Sequence, residues 1–547
     1  MRDLKLTPRW LRLFLLILLV TGVFFRFFHL DYKIYWHDEA YTSIRAAGFT
    51  RQEIDQEIFQ NHIIPAPYLL KFQRLKPGST VVDTINSLKI EDPHHPPLYF
   101  LMARFWMQMF GSSLTASRTL PALLSLLALP LMYALGLELF ASTTVALFAT
   151  VLLALSPFDI LFAQTARQYS LLTVAVIGSN FLLLRAWRLP TWQNWSLYTF
   201  SNIIGWYTHP FFGLTVVAQG TYIFLGRTFQ QENRQSPRKN VIYFLVAIAS
   251  SLILYLPWLV VLVTNRQRVL QTTSWTGDKV DIWYLLKLWL VSFSSLFFDL
   301  DFGFDTIWNG IRSSLLKLAV IILITGATYL VCRQTERATW LFIITTILVP
   351  FLSLALPDLL LGGRRSTVSR YLISSYPGVQ LAVAYLLGTK IIYQRWLWQS
   401  LTLLIFAGSI ASSTVSASAH TWWSKDLSYH NFEIINRING ISSPVIVSDI
   451  GDEYTNTGDL IAQSYSLQNH VRLLLLTQPT NLENANLNLF LSQNNQLLTF
   501  RPSQQILGAL KQNENYVFPV FEPGRLWQIK NTPAQGVNSK STNIRGK

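Results

Sequence analysis

Two adjacent carboxylates, Asp38 and Glu39, stand in the run Trp36-His37-Asp38-Glu39-Ala40-Tyr41, about ten residues beyond a long apolar stretch. Neighbouring carboxylates repel each other, which raises the pKa of one. One member of such a pair can take a proton while the other orients a substrate or a metal. A solvated loop is the plain alternative for so common a dipeptide. A second group is Asp92-Pro93-His94-His95-Pro96-Pro97-Leu98-Tyr99. Its prolines fix the backbone and set two imidazoles ahead of an apolar segment. Imidazole is a common metal ligand, but neither HxH nor HExxH spacing occurs there. Capping or hydrogen bonding by His94 and His95 is the favoured reading over ligation. Arg167 precedes Gln168 and Tyr169 at the start of another apolar run. There it can snorkel to the interface or hold a phosphate in its planar fork. His209 lies in the tight turn Tyr207-Thr208-His209-Pro210, and Gly362-Gly363-Arg364-Arg365 is followed by Ser369-Arg370-Tyr371.

The elements that must position these residues are read from composition. The chain of 547 residues is 51% hydrophobic and only 13% charged, against about 25% charged in average soluble proteins. Lipid is therefore its main solvent. The net charge of +15 does not mark a nucleic-acid binder, which gathers Lys and Arg on one soluble face; here the cations sit in short loops between apolar runs. Cys332 is the only cysteine, so no intramolecular disulfide forms. Arg2, Lys5, Arg9 and Arg12 precede the first apolar run, and Phe24-Phe25-Arg26-Phe27-Phe28 follows it with no small-residue cleavage site. This pattern reads as an uncleaved signal anchor.

A span needs roughly 20 apolar residues. Qualifying runs begin near Trp10, Thr119, Thr143, Tyr169, Leu197, Phe211, Val241, Ser314, Thr339, Tyr371 and Leu397, which predicts about eleven transmembrane helices. With the N-terminus inside, Arg185 and Arg188; Arg227, Arg234, Arg238 and Lys239; Arg333 and Arg337; and Lys390 and Arg395 fall in cytoplasmic loops, as the positive-inside rule requires. Counting Pro97–Phe110 as a span would reverse that bias, so it is expected to lie as a helix on the outer face. Arg364, Arg365 and Arg370 then fall outside, against the rule, and an anionic phosphate ligand would account for them. The predicted organisation is a transmembrane domain over 1–419, with a first extracytoplasmic loop at 29–118. A small extracytoplasmic α/β domain follows over 420–530, and a polar, disordered tail over 531–547. Within the small domain, Phe432–Ile438 reads as a helix, Pro444–Ser448 as a buried strand, and Tyr516–Glu522 with Leu526–Lys530 as a hairpin about Pro523-Gly524.

Six segments, in order, carry a resemblance: WHDEAYT at Trp36–Thr42, HHPPLYFL at His94–Leu101, FGSSLTASRTLPAL at Phe110–Leu123, SPFDILFAQTARQYSLLT at Ser156–Thr173, YTHPF at Tyr207–Phe211 and SRYLISSYP at Ser369–Pro377. Together they resemble the superfamily of protein O-mannosyltransferases and the aminoarabinose lipid A transferase, the C-type glycosyltransferases (GT-C fold). The match is closest to bacterial members of glycosyltransferase family 39 type. The resemblance implies a mostly α, polytopic enzyme in a bacterial inner membrane. It would move a monosaccharide from a polyprenyl-phosphate donor, with inversion, to a hydroxyl or amine on a glycan, lipid or protein at the outer face. It maps the base onto Asp38 and a positioning role onto Glu39. Arg167 and Arg370 are the expected phosphate contacts, with His94, His95, Tyr169, His209 and Tyr371 lining the substrate site. In the aminoarabinose branch a lysine stands near the paired prolines where this chain has His94-His95. A divalent metal cation is left open as a cofactor, with no ligand set, and no nucleic acid is expected.

A lipid or polysaccharide transporter or flippase is the competing class. Transporters carry repeated halves and midplane charges, whereas this sequence shows no repeat and places its ionisable residues at the ends of spans. An inactive scaffold that binds a partner through its C-terminal domain is a third possibility, which the acidic pair and the arginines oppose.

Overall fold

The computed structural model describes residues 7–226, 237–300, 307–391, 395–452, 455–477, 496–512, 515–523 and 525–531. The predicted tail beyond 531, Gly524 of the hairpin turn, and Arg2, Lys5, Arg227 and Arg234 lie outside the described residues. The chain divides into two compact units. One comprises Met1–Lys33, Tyr41–Thr50 and Phe72–Ser424; the other comprises Ile34–Ala40, Arg51–Lys71 and Lys425–Lys547.

The first unit is helical. Each of the eleven predicted apolar runs contributes a helix, but the count of eleven spans is not reached. By length and composition seven helices of the described residues can cross a membrane, or eight if the bent pair Thr143–Leu155 and Pro157–Ala163 is one span. The shortfall lies in Trp192–Thr208, Phe212–Gly226 and Tyr376–Lys390, of 17, 15 and 15 residues. These are below the roughly 20 that a bilayer requires. The bend of 55° follows from Pro157, which has no N–H to continue the helical ladder. Arg26, buried on the first helix Arg9–Phe27, supplies the missing donors. It bonds the carbonyls of Leu153 (2.9 Å), Ala154 and Gly22 (2.9 Å). Gly22 is required at that crossing, because a Cβ there would collide with the Ala154 carbonyl.

The same unit fixes the chain that leaves the first helix. Gln164 donates to the carbonyls of Phe25 (2.7 Å) and Phe28 (2.8 Å). Arg118 donates to those of Leu30 and Lys33, both at 2.8 Å. Such buried, charge-assisted bonds hold backbone that no regular ladder satisfies. The predicted helix at Pro97–Phe110 forms as Leu98–Phe110, of 13 residues. Its Arg104 is 2% exposed and bonds the Ser79 and Ala46 carbonyls, which explains a cation inside an apolar run.

The second unit is a six-stranded mixed sheet with helices. Its strands are β1 (His62–Pro65), β2 (Val445–Ser448), β3 (Arg472–Leu475), β4 (Leu497–Phe500), β5 (Asn515–Phe521) and β6 (Leu526–Asn531), in the order β1-β3-β2-β4-β6-β5. β2 runs parallel to both β3 and β4, and every residue of β2 and β4 is buried, as in sheets covered on both faces. β1 is drawn from the segment after the first helix and pairs antiparallel with β3. The predicted helix forms as Asn431–Asn439 and the predicted hairpin as β5 and β6. Val445, Val447, Leu474, Leu497, Ile506 and Ile529 form the core.

Candidate functional site

In the first unit, four separate segments bring cations, imidazoles and phenols together. The loop before Leu98 is held by Arg45, which pairs with Glu91 and, at 2.9 Å, with Asp92. The Trp258 indole also donates to the Pro93 carbonyl at 3.1 Å. This leaves His94 and His95 at a fixed position, with ring centroids 4.0 Å apart. Arg167, 5% exposed, donates from Nη1 to Thr42 Oγ1 (3.1 Å) and from Nη2 to His95 Nε2 (3.0 Å). The Gln168 amide lies 3.1 Å from His95 Nδ1. The atom of Gln168 that faces the ring is its amide nitrogen Nε2.

His209 accepts from the Phe211 backbone N–H at Nδ1 (3.1 Å), which puts its proton on Nε2. Its ring centroid stands 6.0 Å from that of His95, 6.3 Å from Tyr169 and 6.5 Å from Tyr371. Arg167 lies 5.9 Å from the Tyr169 ring and Arg370 5.7 Å from the Tyr371 ring. Burial, then His94, Arg167 and Arg370, pushes His209 down to about 3. Burial and the charges of His94, Arg167, His209 and Arg370 hold His95 well below the usual imidazole range. Both rings are therefore neutral at physiological pH, beside the guanidinium groups of Arg167 and Arg370. Asp92 is an acid beside them, and burial works to raise its pKa. Arg45, ahead of His94 and Arg167, overrides that and brings it to about 2, so its charge is already matched.

The acidic pair belongs to the second unit and divides in its environment. Glu39 has no exposed side-chain surface; its Oε2 accepts from Lys425 Nζ at 2.7 Å and from the Trp36 backbone N–H at 3.0 Å. Asp38 is half-buried in the first turn of the helix His37–Ala47. Its neighbour His37 places Nδ1 3.6 Å from Asp459 Oδ2. Burial raises the Asp459 pKa, but Arg501, then His37 and Asn431, bring it down to about 2. Among the described residues, no three His, Cys, Asp or Glu side chains are grouped to hold a metal ion.

Residues 94–261 match the model of the dolichyl-phosphate-mannose-protein mannosyltransferase family. Over that stretch the chain is similar to the membrane mannosyltransferases of that family. The matched stretch contains His94, His95, Arg167, Tyr169 and His209, and leaves Asp38, Glu39, Arg370 and Tyr371 outside. No curated protein matches the chain. Among solved structures it is similar to the archaeal oligosaccharyltransferase AglB from Archaeoglobus fulgidus in complex with an inhibitory peptide and a dolichol-phosphate. That alignment has 12% identity and a TM-score of 0.49, over 96% of this chain and 75% of that one. It is also similar to ArnT from Cupriavidus metallidurans bound to undecaprenyl phosphate, with 13% identity and a TM-score of 0.47 over 97% of this chain and 99% of that one. At such values neither supplies a residue correspondence.

The structure brings together His94, His95, Arg167, Tyr169, His209, Arg370 and Tyr371 of the predicted site residues. It corrects the reading of the other two arginines. Arg364 pairs with Asp278 (3.3 Å) and Arg365 with Asp358 (3.2 Å), so neither requires a phosphate to account for its charge. Sequence reasoning missed Gln168, Thr42, Lys425 and Asp459. Gln168 stood next to Arg167 and was legible as a polar residue at the head of an apolar helix. Lys425 lies 386 residues from Glu39, and no local pattern announces such a pair.

Proposed function

We propose that the enzyme transfers a monosaccharide from a polyprenyl phosphate to an acceptor hydroxyl on the outer face of the membrane, with Arg167 and Arg370 gripping the phosphate. The observation that carries this reading is the convergence of two guanidinium groups, Arg167 and Arg370, on the neutral imidazoles of His95 and His209. Planar guanidinium forks suit the oxygens of a phosphate.

In the reaction, Asp38 accepts the proton of the acceptor hydroxyl. The oxygen attacks the anomeric carbon from the face opposite the phosphate, and the bond from that carbon to the phosphate oxygen breaks. The bonding pair leaves with polyprenyl phosphate, whose growing negative charge the two arginines stabilise. His209, with its proton on Nε2, is a neutral donor to a phosphate or sugar oxygen, and His95 orients Arg167. Phosphate is a weakly basic leaving group, so no general acid is needed. Glu39 supports the turn that carries Asp38. The charge on the departing group is met by arginine here.

The test is Asp38→Asn in the purified full-length enzyme. Loss of a general base lowers turnover by about 10²–10⁴-fold, while polyprenyl phosphate binding stays at its wild-type value. Unchanged turnover removes Asp38 from the role.

A further inference from the structure

We propose that the α/β unit is a cradle for its own turn Trp36–Glu39, in which Lys425, Ser428 and Asp459 are positioning residues for Asp38. The proposal rests on the reading of Asp38 as the base, and it gives the α/β unit a part in the same reaction.

The helix His37–Ala47 follows three residues with no Ser, Thr, Asp or Asn among them. The residues before it are Ile34-Tyr35-Trp36, and none can accept a hydrogen bond from the first-turn amides as Ser, Thr, Asp or Asn does. Distant residues of the same unit meet that need. The His37 backbone N–H donates to Ser428 Oγ at 2.9 Å, across 391 residues of sequence. Ser428 in turn donates to Asp459 Oδ1 at 2.9 Å, and Asn431 donates to the same oxygen at 3.1 Å. Asp459 also takes an ion pair from Arg501 and faces His37. On the other side of the turn, Lys425 holds Glu39 with both side chains at most 2% exposed. Asp38 is thus flanked by two residues, His37 and Glu39, each tied to a different part of the unit.

The place of these ties in the sheet is informative. The helix Asn456–Gln463 connects β2 to β3, and the helix Asn431–Asn439 leads into β2. Helices that serve parallel strands run opposite to them, so their N-termini lie at the carboxyl edge of the sheet. Asp459 and Asn431 occupy those N-termini, and Arg501 follows β4 directly. β2 lies between β3 and β4, so the chain reverses direction across the sheet at that point. In open α/β sheets the carboxyl edge at such a reversal is where ligands bind. Here it receives the protein's own Trp36–Glu39 turn. Arg501 adopts φ +43°, a conformation unusual for a residue with a side chain, and from it reaches both Asp459 and the Leu427 carbonyl.

Two arms test the cradle on the full chain in nanodiscs. The first needs no substrate: amide hydrogen exchange of the 34–40 segment. Ser428→Ala and Lys425→Met should each speed it about tenfold, as expected for loss of a helix cap or a clamp, with the helix Tyr169–Arg188 unchanged. Wild-type exchange in both variants overturns the proposal. The second arm measures release of polyprenyl phosphate from polyprenyl-phosphomannose. Lys425→Met should lower kcat at least tenfold with the affinity for polyprenyl phosphate unchanged, and Lys425→Arg should restore it. A lone buried carboxylate is destabilising in itself, so the pair Glu39→Gln with Lys425→Met separates folding from positioning. It should regain the wild-type Tm yet keep the faster exchange and the lower kcat. Recovery of kcat with Tm means that Lys425 serves folding alone and overturns its positioning role. If Asp38→Asn keeps full turnover, the base reading fails while the exchange result stands independently.

Discussion

Replacing Arg167 by lysine keeps the charge and removes the fork, which makes it a direct probe of how the phosphate is held. The guanidinium is 5% exposed and is anchored by Nη1 to Thr42 and by Nη2 to His95, at 3.1 and 3.0 Å. Those two contacts fix the plane in which it faces an anion. An ammonium group is a single point on a flexible stem and cannot keep both anchors and a bidentate contact. A hydrogen bond to a charged group contributes roughly 1.5–3 kcal/mol. Loss of about 2 kcal/mol weakens binding about thirtyfold. Arg167→Gln removes the charge as well, and binding should fall by more than about a hundredfold, since a buried phosphate then lacks half of its counter-charge. The assay is direct binding of polyprenyl phosphate to the purified protein, which requires no knowledge of the sugar. Thermal unfolding of each variant serves as the control for misfolding. Affinities within threefold of wild type for both variants would refute the phosphate role of Arg167, and wild-type affinity in the lysine variant alone would show that the fork geometry is irrelevant.

Arg370→Ala should raise the KM for donor about tenfold or more and leave the KM for acceptor unchanged; equal effects on both count against a phosphate contact. His209 gives a stability prediction with a defined window. Its pKa is near 6.5 unfolded and about 3 folded, so between these values the unfolded state binds the extra proton. Stability is then full above pH 6.5 and declines by about 1.4 kcal/mol per unit below it, roughly 2 kcal/mol by pH 5. Thermal unfolding in detergent should show this decline, and His209→Gln should flatten it. Asp92 and Asp459, both near 2, add their loss only below about pH 4, so the two windows are separable. For orientation, Asp31→Cys and Ser442→Cys place thiols at exposed positions; an impermeant reagent should label both on intact cells, and labelling only after lysis reverses the topology.

The sequence by itself determined that this chain is a helical membrane protein, because fifty-odd per cent apolar residues in long runs have no stable solvent except lipid. It also carried the positions of the helices and the candidate residues His95, Arg167, His209 and Arg370, since prolines, tight turns and cations at the ends of apolar runs are local signals. The number of spans was less legible. Composition marks an apolar run but not whether Pro157 will break it or whether a helix of 15 residues will be covered by its neighbours. Only the tertiary structure decided what the polar residues do. It matched Arg364 and Arg365 with aspartates and set Arg370 near His95 and His209. It also lowered the imidazole pKa values through burial and converging charge, which depend on distances that no motif encodes. The acidic pair shows the division most clearly. Its chemistry was visible as two letters, but the difference between Asp38, half-buried, and Glu39, sealed against Lys425, comes from residues almost four hundred positions away. The His37 N–H finds its acceptor in Ser428, 391 residues away, and only the folded chain says where.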